Sequence, residues 1–189
     1  MAKLISQTDL KEIYKKEVKE LGETRIAEII KEKRNIQSEG KKSKSVFLCH
    51  SHQDKTIVDK ITIFFNRLDV NIYVDWMDNA MPKVTNGETA SMIKSKIEFN
   101  NRFLFLATYY GLRSKWCDWE LGVAYSIKKV TELAILPIES KSGQWRGSEY
   151  LKLYPIMVIK EDELEHANSN SVTIEKDHNI VTLEQWLSY

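Results

Sequence analysis

The sequence has few cysteines and no long apolar run, and both absences limit the kind of protein it encodes. Its two cysteines, Cys49 and Cys117, do not form a CxxC pair, and its four histidines are scattered, so nothing supports a zinc site. No apolar run approaches the ~20 residues that a membrane-spanning helix requires. Residues 1–6 turn polar too early for a signal peptide. We therefore expect a cytoplasmic protein in a reducing compartment, with no metal and no membrane partner.

A strong net charge is also missing. The formal charge of +1 gives no whole-chain field that would attract nucleic acid, so no nucleic-acid partner is expected. Hydrophobic residues make up 42% and charged residues 29%, which is typical of a globular protein and argues against global disorder. A length of 189 residues allows one ordinary domain with an appendage, or two very small units.

Residues 1–44 predict a helical extension followed by a linker. Apolar side chains recur at helical spacing through residues 8–34, which indicates two helices, with Thr8 capping the first and Gly22 ending it. Residues 35–44 are polar and have the composition of a linker. The apolar stripe of the two helices must pack either on the main domain or on another chain.

Residues 45–160 have the pattern of a parallel α/β domain. Five short apolar runs alternate with helical stretches, at residues 46–49, 72–74, 103–107, 133–136 and 156–159. Because the runs are continuous, they predict strands buried on both faces of a parallel sheet. The order predicts a doubly wound five-stranded sheet with helices on both faces. Residues 161–189 are expected to form a C-terminal extension, packed on the domain or trailing it, with a short strand at 180–182 and a last helical turn.

Polar side chains follow the first two predicted strands, at the edge where this architecture binds ligands. His50 and Ser51 follow the first strand, and Asp75, Trp76 and Asp78 follow the second. Structure alone can explain some of them, because Ser51 can cap the next helix and a charged residue such as Asp75 commonly ends a buried strand. The functional interpretation is that Ser51 and neighbouring backbone N–H groups hold a phosphate. An exposed Trp76 would mark a contact surface.

The stretch from Ser114 to Glu120 combines an indole with a carboxylate. Trp116 and Glu120 are four residues apart and share one helix face, and Ser114 is a predicted N-cap that places both near the helix start. There the indole can stack on a base or another flat ring while the carboxylate contacts a sugar. On spacing alone, a core tryptophan beside a solvated glutamate is the simpler explanation.

In this order, these segments resemble the Toll/interleukin-1 receptor (TIR) domain from residue 45 to about 159. Residues 46–51 followed by Asp54 resemble the first box of the family, and residues 72–75 its second strand. Residues 114–117 followed by Glu120 resemble the loop and helix of its enzymatic members. The chain is most similar to stand-alone bacterial TIR proteins. The sequence of residues 75–78 has the bacterial pattern, and no receptor, kinase, nucleotide-binding or leucine-rich segment occurs in the given sequence.

The resemblance implies a flavodoxin-like fold and cleavage of NAD at the nicotinamide–ribose bond, with NAD as substrate and no separate cofactor. It places the catalytic glutamate of the family at Glu120. The other residues expected at the substrate site are Trp116, His50, Ser51, Asp75, Trp76, Asp78 and Ser114. The resemblance also implies an ADP-ribose or cyclic ADP-ribose signal in Thoeris-type antiphage defence, sensed by a downstream effector. Self-association is expected through the loop from Trp76 to Glu88, which would approach the site of the next copy.

The implied chemistry needs only one carboxylate. Cleavage of an N-glycosidic bond passes through an oxocarbenium-like state, and the pyridinium of NAD leaves as a neutral group without a proton. Glu120 would stabilise the developing positive charge. Two alternatives remain open at this point. A non-catalytic TIR adaptor that acts by self-assembly has no need of a carboxylate at residue 120. A nucleoside deoxyribosyltransferase-like enzyme has a related fold and a glutamate nucleophile, although residues 114–117 argue against it.

Overall fold

Strands and helices alternate along the chain, and the computed structural model describes residues 2–36, 44–75, 87–139, 149–160, 163 and 167–188. The strands are β1 (Ala2–Lys3), β2 (Ile5–Ser6), β3 (Ser45–Cys49), β4 (Asn71–Tyr73), β5 (Arg102–Ala107), β6 (Leu133–Glu139), β7 (Ile156–Lys160), β8 (Val172–Lys176) and β9 (Asn179–Thr182). The helices are α1 (Gln7–Leu21), α2 (Glu23–Ile36), α3 (Lys55–Arg67), α4 (Gly87–Phe99), α5 (Lys115–Ile127) and α6 (Leu183–Ser188). No helix within these residues is long and apolar enough to cross a membrane.

A parallel sheet forms the centre of the fold, as the sequence predicts. Its five strands lie in the order β4-β3-β5-β6-β7, and each neighbouring pair is parallel. Counted along the chain, this is the flavodoxin-like order 2-1-3-4-5. Antiparallel β8 and β9 extend the sheet beyond β7. The strand order reverses at β3, and in open α/β sheets ligands bind beyond the carboxyl ends of the strands at such a switch point.

Alternate residues of the central strands face two separate cores, because side chains in a strand point to opposite faces in turn. One core contains Val46, Leu48, Leu104 and Leu106 with residues of α1 and α3. The other core contains Phe47, Cys49, Phe103 and Phe105 with residues of α4 and α5. The helices therefore cover both faces of the sheet, which explains why the strands read as continuous apolar runs.

The N-terminal segment is built into the same sheet and core. Strand β1 pairs antiparallel with β7, and β2 pairs parallel with β6. In α1, Leu10 and Ile13 are buried in the core that α3 also lines. In α2, Ile26 and Ile29 are buried against Ile63 of α3. Of the two alternatives for the apolar stripe, the structure shows packing on the main domain.

Helix α1 has a cap at each end. Its N-cap is Ser6 rather than the expected Thr8: the Asp9 backbone N–H donates to Ser6 Oγ at 3.1 Å, and the Ser6 backbone N–H donates to Asp9 Oδ2 at 2.8 Å. This reciprocal capping box satisfies two N–H groups that the helix leaves free. The helix ends at Gly22, as predicted, with a φ of +83° that favours glycine. The short turn at Gly22 then allows α2 to fold back beside α1.

The C-terminal segment completes the sheet. The predicted strand at residues 180–182 and the last helical turn are confirmed as β9 and α6. The sequence patterns do not predict β8, which pairs with β7 from Ile156↔Glu175 to Ile159↔Val172. Helix α6 is held by Trp186, which is buried and donates its indole N–H to the backbone oxygen of Thr131 at 2.8 Å.

Candidate active site

Ionisable side chains gather where β3 and β4 end and α5 begins. His50 directly follows β3, Asp75 lies two residues after β4, and Glu120 lies on the second turn of α5. Their exposed fractions are only 6%, 8% and 2%, respectively. Ionisable side chains are seldom fully buried unless they are paired or functional. This cluster therefore marks the ligand edge of the sheet as the candidate active site.

The start of α5 positions two of the predicted site residues. Ser114 is the N-cap, as predicted, and its Oγ accepts a hydrogen bond from the backbone N–H of Cys117 at 3.3 Å. Trp116 on the first turn is half-buried, and its ring stacks on that of Trp119 with centroids 4.8 Å apart. Glu120 follows one turn after Trp116 but is fully buried, so the explanation that it is a solvated glutamate is wrong.

Burial raises the pKa of Glu120 well above its ordinary value. The nearby charge of Asp75 raises this pKa further, whereas hydrogen bonds with Cys49 and Trp116 act in the opposite direction. Desolvation penalises the charged form of a carboxyl, and a neighbouring carboxylate does the same. The site therefore favours the neutral form of Glu120 more than water does.

His50 connects the ends of β3 and β4. Its Nδ1 atom lies 2.9 Å from the backbone oxygen of Leu48, and because a carbonyl oxygen only accepts, Nδ1 carries a proton. Its Nε2 atom lies 3.4 Å from Asp75 Oδ1. His50 and Asp75, both predicted site residues, are thus brought together beside Glu120.

Asp54 is buried at the edge of the candidate site, although it is not among the predicted site residues. Its Oδ2 atom accepts a hydrogen bond of 2.6 Å from Thr108 Oγ1, and Thr108 Oγ1 in turn accepts from the backbone N–H of Gly111 at 2.9 Å. Burial raises the pKa of Asp54, while the Thr108 hydrogen bond, the charge of His50 and a backbone hydrogen bond to Ser51 lower it. Asp54 therefore ties the turn after β3 to the loop after β5.

The two cysteines of the chain meet at this site. Cys49 ends β3, Cys117 lies on the first turn of α5, and both are buried. The Cys49 thiol donates to the backbone oxygen of Cys117 across 3.7 Å. Burial raises the pKa of Cys49 well above its ordinary value. A side-chain hydrogen bond with Cys49, opposed by burial, lowers the pKa of the Cys117 thiol. No spacing rule signals this contact, because it joins residues 68 positions apart.

Ser51 has a structural role in this conformation. Its Oγ atom accepts a hydrogen bond of 3.3 Å from the backbone N–H of Gln53 and so caps the short 3₁₀ turn His52–Asp54. That observation agrees with the capping explanation. The expectation that Ser51 holds a phosphate stays a prediction, since no ligand contact tests it.

Two predicted site residues, Trp76 and Asp78, lie outside the described residues, as does most of the loop expected to mediate self-association. Within the part of the chain that the structure describes, no three His, Cys, Asp or Glu side chains are grouped so as to hold a metal ion. The expectations that concern this loop and the lack of a metal stay predictions.

Aromatic side chains surround the candidate site. Tyr109 and Tyr110 follow β5, are 65% and 44% exposed, and meet edge to face with centroids 5.4 Å apart. The guanidinium of Arg113 lies 4.9 Å above the Tyr109 ring. Tyr150 donates its hydroxyl to Asp118 Oδ1 at 2.6 Å, and this contact joins the segment before β7 to α5. Sequence reasoning missed Tyr150, because it falls in a stretch with the composition of a loop.

The strand order, and a buried carboxyl at the switch-point edge of the sheet, define a flavodoxin-like α/β protein with a ligand-binding edge. Residues 46–168 match the family described as the TIR domain. The chain therefore belongs to the TIR domain family, and the resemblance and the fold predicted from the sequence are confirmed.

Two curated bacterial proteins are similar to this chain. A probable 3′ cyclic ADP-D-ribose synthase of Bacillus cereus (strain MSX-D12), ThsB′, is 31% identical over 115 residues, which cover 58% of each chain. A protein of Cytobacillus dafuensis named as a candidate cyclic ADP-D-ribose synthase, TIR2, is 31% identical over 101 residues, or 52% of this chain. The chain thus spans 58% of the length of the first relative and 26% of the second.

Proposed function

We propose that this protein cleaves NAD at the nicotinamide–ribose bond and forms a cyclic ADP-ribose-type product. The observation that carries the proposal is the buried Glu120 carboxyl at the ligand edge, one helical turn from the half-buried indole of Trp116. The names of both relatives refer to synthesis of cyclic ADP-D-ribose, which supports NAD as the substrate and a cyclic compound as the product.

The proposed reaction begins with departure of nicotinamide. The bond between C1′ of the ribose and the pyridinium nitrogen breaks, its electron pair goes to that nitrogen, and nicotinamide leaves as a neutral molecule. Positive charge then develops on the ribose, as in glycoside cleavage. A carboxylate that faces C1′ stabilises this charge, and it does so more strongly in a desolvated site. We assign this role to Glu120, with Trp116 stacking on a flat ring of the substrate.

The raised pKa of Glu120 agrees with a role in which the carboxylate charge is needed only while substrate is bound. Before substrate binds, burial and Asp75 favour the neutral carboxyl. The cationic pyridinium of NAD offsets both effects and favours ionisation of Glu120. The carboxylate would therefore form where and when the ribosyl cation must be stabilised.

The fate of the ribosyl cation decides between two products. Attack by a nucleophile from the same molecule closes a cyclic product, whereas attack by water gives linear ADP-ribose. Exclusion of water favours the cyclic product. The half-buried Trp116, with Trp119 stacked on it, forms an apolar wall beside Glu120 that supports such exclusion.

The proposed setting is an antiphage response in a bacterial cytoplasm, with the product acting on a downstream effector and with assembly through the loop at residues 76–88. This part of the proposal rests on the family resemblance. It follows that activity would depend on protein concentration if neighbouring copies complete the site.

The test is incubation of the purified protein with NAD, with nicotinamide and nucleotide products identified by liquid chromatography and mass spectrometry. The wild type should release nicotinamide and form a cyclic compound, and Glu120→Gln should release less than about one hundredth as much, the scale of a lost electrostatic catalytic group. Glu98→Gln, at an exposed position of α4, is the matched control and should retain full activity. Absence of nicotinamide release at every protein concentration would favour the non-catalytic adaptor instead.

A further inference from the structure

A cavity lies at the edge of the sheet opposite to Glu120. It has a volume of about 520 Å³, within the range of roughly 300–1,000 Å³ that is typical of small-molecule sites. Its apolar walls come from the loops before β6 and β7, from β8 and β9, and from α6. These wall residues are Val130, Pro155, Ile174, Val181 and Trp186.

Positive charge predominates among the residues that line this cavity. Arg102, Lys129 and Lys176 line it, together with a single acidic residue, Glu132. Lys129 is exposed, whereas Arg102 is only 2% exposed, so one cation lies at the rim and another within the wall. The Lys176 ammonium is bound by the backbone oxygen of Lys152 at 2.8 Å and lies 3.4 Å from Asp177 Oδ1. Recognition of an anionic ligand would therefore rest on Arg102 and Lys129.

The wall formed by Arg102 and Trp186 is preorganised. The Arg102 guanidinium donates from Nε to the backbone oxygen of Trp186 and lies 5.7 Å from the centroid of the indole. The indole N–H donates to Thr131 at 2.8 Å, which fixes the ring in a single orientation. A flat apolar group can pack on such a fixed surface without a large loss of conformational entropy.

The cavity is separate from the candidate active site. Arg102 is the first residue of β5 and Ala107 is the last, and a strand of this length spans about 17 Å. The residues that β8, β9 and α6 contribute also lie beyond residues 46–168, the part of the chain that matches the TIR domain family. The cavity is therefore formed in part by residues outside the region that matches the family.

We propose that this cavity binds a small amphipathic anion, a flat apolar ring that carries a phosphate or carboxylate group. The ring packs against Trp186, Val181 and Pro155, and the anionic group faces Lys129 and Arg102. This assignment rests on the five apolar wall residues and on the excess of positive over negative charges among the lining residues. It does not depend on the proposed cleavage of NAD.

The proposal is tested by isothermal titration calorimetry of the 189-residue chain with 1-naphthyl phosphate and with 1-naphthoate. At least one of these two anions should bind saturably. 1-Naphthol, which lacks the anionic group, and inorganic phosphate, which lacks the apolar ring, should each bind at least about tenfold more weakly. Lys129→Glu should weaken binding by about tenfold through charge reversal at the rim. Val130→Trp, at a position that is 36% exposed, should abolish binding by filling the cavity.

Two further variants locate the binding. Lys94→Glu makes the same charge change at an exposed position of α4 that does not line the cavity, and it should leave the affinity unchanged. Trp116→Ala should also leave it unchanged, because Trp116 belongs to the opposite edge. The proposal is wrong if neither anion binds saturably, if 1-naphthol binds as tightly as they do, or if Trp116→Ala abolishes binding while Val130→Trp does not.

Discussion

The Nε2 atom of His50 lies 3.4 Å from Oδ1 of Asp75, and both side chains are buried. The pair joins the ends of β3 and β4, the two strands on one side of the switch point. Asp75 also acts on Glu120, because its charge raises the pKa of the Glu120 carboxyl. After burial, the charge of Asp75 is the largest influence that raises the pKa of Glu120, so a residue at a strand end acts on the proposed catalytic group of a neighbouring helix.

Replacement of Asp75 by asparagine should move the pH profile of NAD cleavage toward lower pH. Asp75 raises the pKa of Glu120, so its removal lowers that pKa and the reactive carboxylate forms at a lower pH. The measurement is kcat/KM against pH, whose acidic limb reports groups of the free enzyme. The position of this limb, rather than the maximal rate, is the readout, because Asp75 is itself a predicted substrate-binding residue.

Asp177→Asn serves as the control for this profile. Asp177 is exposed, lies in the turn between β8 and β9, and has a φ of +54° that asparagine tolerates well. Its profile should match that of the wild type. An acidic limb that stays in place in Asp75→Asn would show that Asp75 does not control the ionisation of Glu120.

Glu120→Gln should stabilise the folded protein at neutral pH. The pKa of Glu120 is higher in the folded chain than in the unfolded chain, so the folded state binds the additional proton. Stability is then lost as the pH rises from the unfolded pKa toward the raised folded pKa. The neutral glutamine avoids this loss, so Glu120→Gln should have the higher free energy of unfolding at neutral pH.

Urea unfolding of the wild type and Glu120→Gln at pH 7.5 and at pH 4 measures this effect. The difference in the free energy of unfolding should be present at pH 7.5 and should nearly vanish at pH 4, where the carboxyl is protonated in both states. A difference of equal size at both pH values would point to packing rather than ionisation as its origin.

Thr108→Val should destabilise the protein by about 2 kcal/mol, because it removes the hydroxyl that donates to the buried Asp54 carboxyl and accepts from Gly111. Valine has nearly the same shape, so the loss reports the two hydrogen bonds rather than a cavity. Thr108→Ser keeps the hydroxyl and should recover most of the stability in denaturant unfolding. If valine and serine were equally destabilising, the methyl group and not the hydroxyl would be the important part of Thr108.

Gly111→Ala should destabilise the loop that leads to α5. A Cβ atom at residue 111 would lie 2.4 Å from the backbone oxygen of Leu106 and 3.2 Å from Thr108 Oγ1, so the backbone must move. Overpacking of this kind typically costs about 1–3 kcal/mol. Thermal unfolding provides the measurement, and nicotinamide release should fall as well, since Ser114 and Trp116 follow this loop directly.

Gly122→Ala is the matched control, because a Cβ atom there meets nothing within 4 Å. Gly122 lies inside α5, where alanine is the better helix former, so a gain of about 0.5–1 kcal/mol is expected. Equal melting temperatures for the two variants would argue against a close approach of the backbone at Gly111.

The central sheet was predictable because burial on both faces leaves a simple signal. Strands β3, β5, β6 and β7 are apolar apart from one terminal residue each, which is the pattern of strands buried on both faces of a sheet. Strands β1 and β2 have two residues each, which is too short for any periodicity, so only the folded chain reveals them.

The candidate site was predictable where topology determines proximity. Parallel strands place the residues that follow them at one edge, so His50, Asp75 and the start of α5 had to lie close together. The contacts of Asp54 with Thr108, and of Tyr150 with Asp118, follow from loop conformations and long-range packing. Neither has a signature in spacing or composition. The burial of Glu120 was equally hidden, because helical spacing gives the face of a residue but not the depth at which it lies.

The pairing of β1 with β7 has a consequence for how the chain folds. Ala2 lies opposite Lys160, so this pairing forms only after nearly the whole chain has emerged from the ribosome. Closure of so long a loop is slow, and contacts of high sequence separation are associated with slow folding. During synthesis the edges of β6 and β7 therefore stay unpaired at these positions. Strand β1 is therefore made long before β7, the strand it pairs with, and should be among the last elements to be placed.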